Sequence, residues 1–154
     1  YTEREAAVMA IEQAVAEYCA ALDDAIEYAM EVEVAVVARV AIHNAVETEV
    51  YAAYDPVMYR RRGVYGGLAD QHPDNMEANY DRGTRTLTVQ DVNKDDDTGR
   101  LVAPVVESGR GYEFRWHGQK PRPFHSVAQK EMMDTGWFSD ALKIGLRAKG
   151  FKTE

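Results

Sequence analysis

The first 55 residues contain neither glycine nor proline, and alanine and glutamate dominate them. Both are good helix formers, and the absence of breakers over such a length leaves little besides helix for the chain to adopt. Val8, Ile11, Val15, Tyr18 and Leu22, and then Ile26, Met30, Val34, Val37 and Ala41, recur at three- and four-residue steps. That spacing is one face of an amphipathic helix. Asp24 followed by Glu27 reads as an N-terminal capping box, predicting one helix of about 3–22 and a second of about 25–52. The alternation from Glu31 to Val37 is a competing strand signal, outweighed by the helical pattern on both sides. An unbroken helix of this length would run about 75 Å at 1.5 Å per residue. The remaining ~100 residues are too few to cover its whole apolar stripe, so the rod needs a partner.

The character changes at Asp55-Pro56, where proline cannot continue the helix. Residues 56–83 read as loop and irregular chain, with Arg60-Arg61-Arg62-Gly63, Gly66-Gly67 and His72-Pro73-Asp74-Asn75. Thr84 to Val92 alternates and is rich in β-branched residues, Leu101 to Glu107 is a second strand candidate, and Tyr112 to Trp116 a third. After Pro121 and Pro123, Ser126 is expected to cap a helix to about Asp134, and a last helix of about 138–149 ends at Gly150. The expected class is α+β: an acidic helical arm over 1–55, then a small antiparallel β-sheet with C-terminal helices over 56–154.

Charge divides the chain at the same place. Residues 1–55 hold 12 acids and two bases, whereas 56–154 hold 14 acids and 16 bases, for a total of −8. Such a balance excludes a generally basic nucleic-acid binder and suggests contact with another molecule. One cysteine, Cys19, excludes a disulfide scaffold and is consistent with a reducing cytoplasm. Beside the apolar stripe, Cys19 is expected to be a buried, inert thiol. The acidic start lacks the basic and apolar regions of a signal peptide, and no run is long and apolar enough to span a membrane. With Tyr1 in place of an initiator Met, the first residue or residues are expected to have been lost.

Few side-chain patterns point to chemistry. Asp95-Asp96-Asp97 starts like a calcium loop, but the sixth position is Arg100 and the twelfth Val106, where glycine and glutamate are needed. The four histidines, His43, His72, His117 and His125, have no zinc spacing with each other or with Cys19. His117 and His125 with Glu107 or Glu113 are the one arrangement that could serve as an acid–base pair. No phosphate-binding glycine loop is present, because Gly66-Gly67 is followed by no Lys-Ser/Thr. Arg60, Arg61 and Arg62 form the densest basic run and match an acidic surface of a neighbouring subunit better than a nucleic acid. Tyr51, Tyr54 and Tyr59 suit a subunit seam, with rings buried and hydroxyls wet.

Two segments carry a resemblance. The first is Val50-Tyr51-x-x-Tyr54-Asp55-Pro56-x-x-Tyr59-x-Arg61-Arg62, followed by Gly66-Gly67-Leu68-Ala69-Asp70. The second runs Leu101-Val102-Ala103-Pro104-Val105-Val106-Glu107-Ser108-Gly109-x-Gly111-Tyr112 and continues with Arg122-Pro123-Phe124 and a helix. Together they resemble minor virion proteins of tailed bacteriophages, in the head–tail connector or tail-completion family, over about residues 25–135. The chain departs from that pattern in its acidic segment before residue 24 and its longer helical end after Gly136.

The resemblance implies a structural, non-enzymatic virion protein, without cofactor or metal, in the phage neck and in the host cytoplasm during assembly. It implies a homo-oligomeric ring, six- or twelve-fold, that joins the capsid portal to the tail. DNA would pass through its channel without specific binding, other neck, portal or tail proteins would adjoin it, and no membrane would be involved. Subunit-interface candidates are Tyr51, Tyr54, Tyr59, Arg60, Arg61, Arg62, Glu107, Gly109, Gly111, Tyr112, Arg122 and Phe124. Phe124, preset by two prolines, is also expected to anchor the core. Two other readings remain open: a small nuclease or toxin-like enzyme using His117, His125 and Glu107, and an acidic helical adaptor that binds a basic partner through residues 1–52.

Overall fold

The computed structural model describes residues 2–53, 65–112 and 120–154. The chain begins with a single helical rod. Helix α1, Glu3–Tyr28, opens on a reciprocal capping box, in which Thr2 Oγ1 accepts the Glu5 amide and Glu5 Oε2 accepts the Thr2 amide. Its end is not an end. A π-helical turn, Ala29–Val34, carries the backbone into α2, Ala35–Ala45, and a second π-helical turn, Val46–Tyr51, follows. In these turns the amide bonds five residues back, as from Ala52 to the Glu47 carbonyl at 2.9 Å. The break expected near residues 22–25 is therefore absent, and the Glu31–Val37 alternation is helical. Asp24 caps nothing; its carboxylate is held by Arg82 at 2.6 Å.

The sheet described is one hairpin. Strand β1, Met76–Asp81, pairs antiparallel with β2, Thr86–Asp91, from Met76 opposite Asp91 to Asp81 opposite Thr86. The Thr84–Val92 expectation is met, while β1 lies in chain expected to be irregular. The Leu101–Glu107 expectation is overturned: Ala103–Ser108 is helix α3. Pro104 needs no amide partner in a first turn, and Gly109 at φ +67° closes the other end as a left-handed cap. Of the third expected strand, residues 113–116 lie outside the described residues.

Helix α4, Phe124–Asp134, starts two residues before the expected cap; Ser126 instead donates to the Pro123 carbonyl at 2.9 Å. Helix α5, Trp137–Ala148, follows after Gly136 and ends just before Gly150, close to expectation.

The core is built around the second half of the rod. Val34, Ala38, Ala41, Ile42, Ala45 and Val46 are buried against β1, α3, α4 and α5, with Phe124, Met76 and Val46 almost fully enclosed. Alanines on this face let the helices approach closely. Gly145 of α5 comes so near that a Cβ there would lie 2.4 Å from Ala29 Cβ. Among the described residues, no helix is long and apolar enough to cross a membrane.

Candidate interaction surface

Residues 2–21 are all exposed, and beyond them α1 enters the core. The apolar seam Val8, Ile11, Val15, Tyr18, Leu22, Ala25, Ala29 advances by alternating steps of three and four, a seven-residue repeat. Its C-terminal members are covered: Ala25 and Ala29 are buried, the latter beneath Gly145. Its N-terminal members are not, with Val8 47% and Ile11 64% exposed. Cys19, expected to be buried, is exposed.

At the root of the exposed segment the hairpin tip grips the helix. Arg82 donates to Glu27 and Asp24, both at 2.6 Å, and Arg85 to Asp23 at 2.8 Å. The two carboxylates raise the already high pKa of Arg82 further, the hydrogen bond to Asp24 acting most strongly. Part of the acidic charge at the base of the arm is thus answered within the chain.

A second constellation joins α3, β2 and α4. Glu107 Oε1 accepts the His125 backbone amide at 2.9 Å and lies 2.8 Å from His125 Nδ1. The other ring nitrogen, Nε2, accepts the Asp91 amide at 3.1 Å. An imidazole that accepts at Nε2 carries its proton on Nδ1, so Nδ1–H donates to Glu107. Asp91 is buried, with Oδ1 accepting the Asn93 amide at 2.8 Å and Oδ2 meeting no partner among the described residues. Burial pushes its carboxyl up to about 7; the Asn93 bond opposes this, and the Asp70 and Glu107 charges add to it.

Glu107 and His125, paired in the acid–base reading, therefore do meet, while His117 lies outside the described residues. In this arrangement the Nε2 lone pair is already engaged. Among the described residues, no group of three histidine, cysteine or acidic side chains is placed to hold a metal. Asp95, from the calcium-like run, turns its Oδ1 onto the Asp97 and Thr98 amides.

The other candidates fall into two sets. Tyr54, Tyr59, Arg60, Arg61 and Arg62 lie outside the described residues. Most of the rest gather at the α3–α4 junction. Arg122 donates its backbone amide to Glu107 O at 3.0 Å and its guanidinium to Val50 O at 3.2 Å. Gly109 lies so close to Lys120 and Pro121 that a Cβ would sit 2.7 Å from their backbone. Gly111 accepts from Arg100 at 3.2 Å, Phe124 is fully buried, and Tyr51 and Tyr112 are half-buried. The Gly66–Asp70 motif is a loop organised by Asp70, whose carboxylate accepts the Gly66 and His72 amides at 2.8 and 3.0 Å. Those two bonds hold its pKa below the usual carboxylate value.

Sequence reasoning missed the Arg82 and Arg85 clamp and the burial of Asp91. The first had a signal, two arginines on a short Asp81–Thr86 turn next to an acidic helix. The second had none, since burial of Asp91 depends on where α4 lands.

Comparison with known proteins gives this surface a lineage. The YomN family model matches residues 14–148, most of the chain. The protein belongs to the YomN family. A relative in Bacillus subtilis (strain 168), named the SPbeta prophage-derived uncharacterized protein YomN, is 32% identical over 110 residues, covering 69% of this chain and 70% of the relative. The family is thus represented in a prophage, and the chain is phage-derived. The family match takes in the whole core but begins after Val8 and Ile11 of the seam. No solved structure matches the chain.

Proposed function

We propose that this protein is a structural component of a tailed-phage virion, a neck subunit that assembles into a ring between portal and tail and lines the DNA passage. The observation that carries this reading is the arm: a helical segment, exposed at every residue from Thr2 to Ala21, with an uncovered apolar seam, on a chain of phage lineage. Large exposed apolar stripes belong to interfaces more than to free monomers. Head-to-tail contacts around a ring would bring the basic run Arg60–Arg62 of one subunit towards the acidic surface of the next. An acidic surface facing the channel would repel DNA and keep it from adhering in transit. No cofactor or catalytic group is needed for such a role. The virion neck is the location this implies, with assembly in the host cytoplasm.

Electron microscopy and native mass spectrometry of the full chain, alone and mixed with the portal and tail proteins of its own phage, test the reading. Rings or co-assemblies are the expected result. A strict monomer that joins neither portal nor tail overturns it.

A further inference from the structure

We infer that the uncovered seam from Val8 to Tyr18 docks a basic amphipathic helix of a different protein, rather than a second copy of this chain. The inference rests on the reading of the arm as a docking element and names its partner by chemistry. The seam continues an interface already closed within the chain. Going from Ala29 to Val8, its inner end is covered by α5, with Gly145 on Ala29, and the C-terminal tail reaches only the edge of Tyr18, where Phe151 lies 5.8 Å away between ring centroids and leaves Tyr18 60% exposed. Lys149 sits 4.2 Å above the Tyr28 ring on the same side. The covering segment, residues 137–154, carries four bases and two acids. The chain therefore displays what closes this seam: the apolar face of a helix, in a segment of net positive charge.

The uncovered part has the complementary charge. Residues 2–21 hold four acids, Glu3, Glu5, Glu12 and Glu17, and one base, Arg4. Two copies laid side by side would gather eight carboxylates against two arginines, which disfavours self-pairing. The acids are also placed unequally. On a helix advancing 100° per residue, Glu5 and Glu12 border one side of the seam, and Ala7 and Ala14 border the other. The partner helix must bring Lys or Arg towards Glu5 and Glu12 and larger apolar side chains over the two alanines. Charges at such flanking positions set partner choice and orientation in helix pairs.

The test uses the full chain and two synthetic helical peptides of about 20 residues, long enough to hold a helix. Both carry leucine at seven-residue seam spacing; one has lysine and the other glutamate at the flanks. Fluorescence anisotropy should show the lysine peptide binding at least about tenfold more tightly than the glutamate peptide. The double variant I11D/V15D should lose that binding by about tenfold or more. Because this variant is more acidic than the parent, attraction by charge alone predicts no such loss. The variant E5K/E12K should reverse the preference between the peptides. Equal binding of the two peptides, failure of the lysine peptide to bind, or binding unchanged in I11D/V15D each overturns the inference. Sedimentation showing that the chain self-associates through Val8–Tyr18 overturns it in favour of a second copy. The neck reading fails separately, if the lysine peptide binds yet the protein joins neither portal nor tail.

Discussion

The outer stretch 3–21 and the inner stretch 25–51 of the rod are made of much the same residues and share one seven-residue seam at their junction, yet one is bare and the other is the spine of a core. The difference lies in what reaches them. The inner stretch meets Gly145, Phe124, Ala128 and Met132 from α4 and α5, whereas every residue of the outer one is exposed. Composition alone thus gives a helix, but only tertiary partners make its apolar face a core. The outer stretch holds its helix through alanine propensity, the Thr2–Glu5 capping box and local pairs such as Gln13–Glu17.

Substitutions on the two stretches and their partners should therefore behave very differently. The largest effect is expected from Phe124→Ala, which removes a fully enclosed ring beside the inner stretch. Urea denaturation should show a loss of about 3–5 kcal/mol.

Next is Asp91→Asn, in the opposite direction. Its folded-state pKa, near 7, lies above its unfolded value, so the ionised carboxylate disfavours the fold. Stability from the protonated form is fully present below the unfolded pKa and is lost as pH rises through the folded one, that is, between about pH 4 and 7. Asparagine keeps an acceptor for the Asn93 amide and removes the charge. A gain on the order of 3 kcal/mol at pH 8, with a flatter stability profile from pH 4 to 7, is expected. An unchanged profile would sink this assignment.

Gly145→Ala should come third. Its methyl would strike Ala29, so α5 must shift, at a cost of about 2 kcal/mol and several degrees in thermal midpoint. The smallest effect should come from I11D/V15D on the bare stretch. Its thermal midpoint should match the parent within a degree or two, since exposed positions rarely change stability by more than ~0.5 kcal/mol. A loss as large as that of Phe124→Ala would mean that the seam is already covered.

The legible parts of the fold were those written in local chemistry. The rod followed from missing glycine and proline, β2 from Thr86, Thr88 and Val89, and the end of α5 from Gly150. The hidden parts depended on remote neighbours or on competing signals. Met76-Glu-Ala-Asn-Tyr-Asp81 has no β-branched residue and becomes a strand by pairing with β2. Leu101 to Glu107 reads as strand by composition, but Pro104 and Gly109 fit a short helix, and only as a helix do Ala103 and Val106, three residues apart, share one buried face. The seam of the candidate surface was readable, whereas its division into covered and bare parts required the position of α5. Likewise the meeting of Glu107 with His125 was one of several open pairings until α3 and α4 were placed.

The grip of Arg82 and Arg85 on Asp23, Asp24 and Glu27 has a mechanical consequence. It makes the hairpin tip a fulcrum, and the twenty or so residues beyond it a lever about 30 Å long at 1.5 Å per residue. A tilt of about 6° at the fulcrum sweeps the far end through about 3 Å on a lever of that length. The contacts there are between exposed charges and weaken with salt, so ionic strength would set how stiffly the lever is aimed.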